Sequence, residues 1–130
     1  MRVITQLVLE GTVEAAEMYE NAFGLTKGLT VKHDDGTYAH LSLMDGEAEI
    51  LSMTERHYAA GEEELDLPYE ARPGTAGFGV YGLTKEAVYA AYEVLSKGAK
   101  KIIDEPKSCP WLELFFILED KFGVGWQVGT

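Results

Sequence analysis

Four side chains in this sequence pair usable chemistry with a place on a short apolar run: Gln6, His40, Glu49 and Gln127. Gln6 stands inside "ITQLVLEG", residues 4–11, among aliphatic and β-branched neighbours. A primary amide there needs partners for its carbonyl and its NH2, so it faces either water or a molecule that uses it. His40 is the only histidine on an expected strand, since His33 stands near a turn and His57 in a stretch without periodicity. With Glu49 on a neighbouring strand it makes a proton-shuttling pair; alone it is an ordinary structural histidine. Gln127, in "VGWQV", supplies a second amide.

Other motifs carry less. Cys109 in "KSCPW" has only Lys107 nearby to lower its pKa and reads as an inert loop thiol. The acidic run "EEELD" at 62–66 lacks the alternating ligands and sharp-turn glycine of a calcium loop. "GTAGFGVYG" has neither a dinucleotide-binding glycine pattern nor a lysine at the helix start, so it does not cradle phosphate.

The elements that must position these residues follow from periodicity. "VITQLVL", residues 3–9, reads as a strand ended by Gly11. Thr12 is placed as the N-cap of a helix in which Val13, Ala16, Tyr19, Ala22 and Phe23 recur at helical spacing, with Gly24 as its stop. Asp35-Gly36 and Asp45-Gly46 then separate three strands of an antiparallel meander. The order repeats: "AGFGVYGL" is a strand, and Thr84 opens a helix lined by Val88, Ala91, Tyr92 and Leu95 and closed by Gly98. "AKKIIDEP" is a strand ended by Pro106, followed by "WLELFFILED" and "VGWQV". The architecture is therefore α+β: two βαβββ modules, 1–55 and 75–130, joined by an acidic linker and surface loop at 56–74 within one structural domain. Helices on one face of each sheet leave the other free to curl into a pocket, so an eight-stranded, cup-shaped mixed sheet is expected.

With 130 residues and 46% hydrophobic side chains the chain can bury a real core. Eleven basic against 22 acidic residues, a formal charge of −11, argue against nucleic acid and anionic membrane as partners. A single cysteine excludes an internal disulfide, and the N-terminal run is too short for a signal peptide or a membrane span, so a cytoplasmic location is expected.

The stretches "ITQLVLEGTVEAAEMYENAFGL", "YAHLSLMDGEAEIL" and "LEDKFGVGWQV" resemble the vicinal oxygen chelate superfamily, the glyoxalase and bleomycin-resistance fold. Within it they look closest to the PhnB-like branch, also labelled demethylubiquinone-methyltransferase-like. The methyltransferase wording has no glycine-rich nucleotide-binding turn to support it here. The resemblance implies a homodimer, and in metal-using members a divalent ion on one residue from the first and last strand of each module. Carried over, those positions are Gln6, Leu51, Phe78 and Gln127. Leu51 and Phe78 have no lone pair to give, and two neutral amides make a poor cation seat. A shifted set of Gln6, His40, Glu49 and Gln127, with Glu49 on the face of Leu51, departs from the family spacing.

No cofactor or divalent metal is expected. The reading is a metal-independent small-molecule binding protein of undefined activity, its pocket lined by Gln6, His40, Leu51, Phe78, Trp111, Glu113 and Gln127. The alternatives are a metal-dependent lyase, isomerase or dioxygenase using the shifted set, and a structural homodimer without a ligand. Whether the chain is an enzyme stays open.

Overall fold

The computed structural model describes residues 1–2, 4–56 and 77–130. The expected linker lies, from residue 57 onward, outside the described residues. Among the described residues eight strands and two helices run in the order β1 (Thr5–Leu9), α1 (Thr12–Phe23), β2 (Thr26–Lys32), β3 (Tyr38–Asp45), β4 (Ala48–Glu55), β5 (Gly77–Val80), α2 (Lys85–Leu95), β6 (Lys101–Cys109), β7 (Leu112–Glu119) and β8 (Gly125–Gly129). This is an α+β fold of two βαβββ modules. The eight strands form two mixed sheets of four, ordered β1-β4-β3-β2 and β5-β8-β7-β6. The chain divides into two compact units, Met1–Glu20 with Gly24–Glu70, and Asn21–Phe23 with Ala71–Thr130. Among the described residues no helix is long and apolar enough to cross a membrane.

In the first unit β1 pairs parallel with β4, and β3 pairs antiparallel with both β4 and β2. Period-2 alternation sends Leu41, Leu43, Leu51 and Met53 to one face, where each is at most 1% exposed. Each such side chain contributes roughly 1.5–3 kcal/mol of burial. From α1, Ala15, Ala16 and Tyr19 are fully buried, while Val13, expected on the apolar face, is 48% exposed. Both Asp-Gly turns form with their glycines at positive φ, Gly36 at 87° and Gly46 at 58°. Asp35 Oδ1 also accepts from the Thr37 amide at 2.9 Å, which locks the first of them.

The start of α1 differs from the expected cap. Thr12 is the first helical residue, and the N-cap position falls on Gly11 in left-handed backbone without a side-chain bond. The acceptor comes instead from the end of β4. Glu55, 4% exposed, accepts from the Gly11 and Thr12 amides, both at 2.8 Å, and from Thr12 Oγ1 at 2.6 Å. A carboxylate at the positive end of a helix serves both its orphan N–H groups and its dipole. Helix α2 is capped locally, as expected: Thr84 Oγ1 accepts from the Ala87 amide at 3.1 Å.

In the second unit Phe116, Leu118, Trp126 and Val128 are nearly or fully buried on one face, and Tyr92 of α2 meets Phe116 edge-on at 5.2 Å. The β7–β8 turn is tied by Asp120, a fully buried carboxylate. It accepts from the Phe122 and Val124 amides at 2.8 and 3.0 Å and from Trp126 Nε1 at 2.9 Å. Strand β6 does not stop at Pro106 but continues to Cys109. It is an edge strand with three register shifts, and an edge tolerates proline because one side of its ladder has no partner.

Candidate functional site

The ladders fix which side chains share a face, and they correct two of the carried-over positions. Gln6 is registered with Ser52 of β4, not with Leu51. Leu51 is registered with Leu43 and is 1% exposed, inside the core of its unit. Gln127 is registered with Gly79 of β5, not with Phe78. Phe78 instead pairs with Trp126 and stacks on it, ring centroids 4.9 Å apart, on the face opposite Gln127. Each error is one residue, and in a strand one residue reverses the face. The register-matched pairs are therefore Gln6 with Ser52 in the first unit and Gly79 with Gln127 in the second.

Glu49 is corrected as well. A register shift between Leu43 and Met44 skips Ile50 and pairs Met44 with Glu49. Glu49 thereby joins Ser42 and Ser52 on the polar face, away from Leu51. That face of the first sheet is a connected set. Gln6, itself exposed, donates from Nε2 to Thr54 Oγ1 at 3.0 Å. Ser42 Oγ donates to Glu49 Oε1 at 2.7 Å and lies 3.1 Å from His40 Nε2. Glu49 Oε2 pairs with Arg2 at 3.0 Å. Ser42, Ser52 and Thr54 are each at most 7% exposed. A hydroxyl has one proton, and Ser42 gives it to Glu49, so His40 Nε2 is the donor in its bond to Ser42.

That arrangement bears on a metal. His40 donates from Nε2 to Ser42, and Glu49 is engaged by both Ser42 and Arg2. Within each unit the register-matched pair offers neutral oxygens only: Gln6 with Ser52, and Gln127 with Gly79. Among the described residues no group of three or more His, Cys, Asp or Glu side chains comes together to hold an ion.

The second unit carries a cavity of about 400 Å³, lined by Phe78, Gly79, Tyr81, Ile103, Ile117 and Gln127 among others. Ile117 and Gln127 are opposite one another on the free face of β7 and β8. Gly79 has no side chain because the Tyr81 ring occupies that space: a Cβ there would lie 2.7 Å from Tyr81 Cε2. Two other expected lining residues lie outside this cavity. Trp111 stands in the β6–β7 turn, 77% exposed, and Glu113 is exposed and pairs with Lys85 at 3.6 Å. Sequence reasoning passed over Tyr81 and Ser52. The first is signalled by the glycine two residues before it, the second by alternation with Thr54 opposite a row of leucines.

Comparison with known proteins agrees with this architecture. Residues 7–128 match the model of the Glyoxalase/Bleomycin resistance protein/Dioxygenase superfamily. Among solved structures, a PhnB protein from Bacillus cereus superposes with a TM-score of 0.75 at 21% identity, covering 99% of this chain and 98% of its own. Protein PA1353 from Pseudomonas aeruginosa gives 0.72 at 22%, covering 99% and 96%. TioX from Micromonospora sp. ML1 gives 0.65 at 16%, covering 99% and 97%. Among curated proteins none matches.

Proposed function

The chain belongs to the glyoxalase/bleomycin resistance protein/dioxygenase superfamily, and from that footing we propose that it binds a small organic molecule without a metal ion, in the manner of the PhnB-like branch. The observation that carries this reading is the cavity of the second unit. Its free-face side chains Tyr81, Ile103 and Ile117 supply aromatic and aliphatic wall, and Gln127 supplies one donor and one acceptor. Among the described residues no Lys or Arg lines it, and Glu119 does. An uncharged or cationic, partly aromatic ligand suits such a wall; an anion does not. In this unit the register-matched positions Gly79 and Gln127 offer a single neutral amide, which supports metal independence.

A thermal-shift screen of uncharged aromatic compounds tests the proposal. A ligand present at a hundredfold excess over its Kd stabilises the folded chain by about 2.7 kcal/mol, a rise in Tm of roughly 10 °C for a domain of this size. Gly79→Ala displaces the Tyr81 ring and weakens the same ligand several-fold, with little loss of stability because Tyr81 is 52% exposed. Stoichiometric nickel, zinc, manganese or iron that survives dialysis, and on which ligand binding depends, overturns the reading in favour of a metal enzyme. We read the assembly as a homodimer, supported by edge strand β2, exposed at every residue and carrying Leu29 and Val31 at 66% and 48% exposure. Light scattering at micromolar concentration gives twice the 14.3 kDa chain mass if so, and the chain mass itself if not.

A further inference from the structure

Neither backbone conformation nor packing among the described residues requires a glycine at position 77. The φ of Gly77 is not positive, and a Cβ there meets nothing nearer than the Gly125 carbonyl oxygen, 3.9 Å away. A glycine in a strand forfeits packing and costs chain entropy, and it often marks a place where a ligand or another backbone approaches closely. Gly77 of β5 is paired with Gly125 of β8, and Gly125 with Glu119 of β7. All three line the cavity of the second unit. Directly paired residues share a face, so one row across this sheet reads Glu119, Gly125, Gly77: a carboxylate beside two bare peptide units.

The next row on that face, Ile117, Gln127 and Gly79, shows what such a floor accepts. The Tyr81 ring lies where a Cβ of Gly79 would stand, which would be 2.7 Å from its Cε2. A flat ring thus already covers the bare position of that row, and the two glycines of the first row are left open beside it. Successive rows are roughly 6.7 Å apart and adjacent strands about 4.8 Å. A flat ring settles on peptide atoms at about 3.5–4.0 Å, the layer that a Cβ on Gly77 or Gly125 would fill. Among the described residues Glu119 is the single charged side chain lining the cavity; Lys101, opposite it on β6, does not line it. At the edge of such a ring the carboxylate accepts an N–H in a charge-assisted bond.

We infer that the cavity takes a flat, delocalised cation with an N–H at its edge, its ring stacked on Gly125 and Gly77 and its N–H held by Glu119. This rests on the reading of the cavity as a small-molecule site and narrows the ligand class: uncharged flat rings enter the same place more weakly, and puckered rings lose the contact with the floor.

Amide NMR titration with three probes tests it: benzamidine, its uncharged counterpart benzamide, and cyclohexanecarboxamidine, the same cation on a puckered ring. Benzamidine is expected to shift the Gly77 and Gly125 amide resonances and to bind about five- to tenfold more tightly than either of the others. Gly77→Ala melts no lower than the natural protein, because the added Cβ has room, and weakens benzamidine about tenfold. Glu119→Gln brings benzamidine down to the affinity of benzamide. The inference is overturned if benzamidine binds no more tightly than either of the other probes, or if Gly77→Ala binds it unchanged. It is equally overturned if Gly77→Ala melts several degrees lower, which assigns that glycine to the fold. Shifts of the Gln127 side-chain amide that come equally from all three probes leave the cavity a binding site and refute the flat cation alone. No shift of Gln127 from any probe, or from any compound of the thermal-shift screen, refutes both readings.

Discussion

Replacing Asp120 isolates what one buried carboxylate does for the second unit. It takes two backbone amides on Oδ1 and the Trp126 indole on Oδ2, all within 3.0 Å and away from solvent. In Asp120→Asn the amide oxygen can keep the two turn bonds, but an NH2 then faces the indole N–H. One charge-assisted bond is lost and two donors meet, a cost of about 2–3 kcal/mol. Asp120→Ala strips the acceptor from all three donors, and the Val124 amide belongs to a fully buried residue; about 4–5 kcal/mol is expected. Against a total of roughly 5–15 kcal/mol the alanine variant is marginal, and the asparagine variant melts roughly 10 °C lower. Urea denaturation followed by circular dichroism measures both. Trp126 fluorescence, in a Trp111→Phe background to remove the exposed indole, reports the local change. An asparagine variant within 0.5 kcal/mol of the natural protein, or an alanine variant more stable than the asparagine one, refutes the reasoning.

Two further outcomes follow from the first unit. Glu55→Ala leaves the Gly11 and Thr12 amides and the Thr12 hydroxyl without their acceptor, and is expected to cost about 3–5 kcal/mol in urea denaturation; a loss below 1 kcal/mol contradicts the role given to it. Lys27 donates to Glu20, which raises its pKa above the usual 10.5, with the Glu20 charge adding to the effect and burial opposing it. A raised lysine pKa stabilises fully below the unfolded value and loses that contribution as pH rises through the folded one. The stability gap between the natural protein and Lys27→Met is therefore a few tenths of a kcal/mol at neutral pH, because the side chain is 41% exposed. It closes above about pH 10.5; a gap that widens there contradicts the assignment.

The sequence revealed most where a signal is local. Gly24, Thr84 and the Asp-Gly turns act over two or three residues, and the structure has them in the expected roles. It revealed less where the answer depends on a partner strand. Leu51 stands one residue off the polar face, and Phe78 lines the cavity but pairs with Trp126 rather than Gln127; alternation carries any starting error in a count along the whole strand. Glu49 changed faces through the skipped Ile50, which no count along β4 alone reveals. Asp120 and Glu55 look like surface acids in a sequence, yet both are buried by amides they reach through the fold. Pro106 reads as a terminator unless the strand is known to be an edge.

The counter-charge of α1 comes from a residue 43 positions downstream of Thr12, whereas α2 carries its own cap in Thr84. During synthesis, then, the two equivalent helices mature on different schedules. A ribosome that has released only the first 50 residues holds an α1 whose leading amides still bond to water, and a 12-residue helix is marginal under those conditions. The first module locks its helix only once β4 has been made, while the second can set its helix before its sheet is finished.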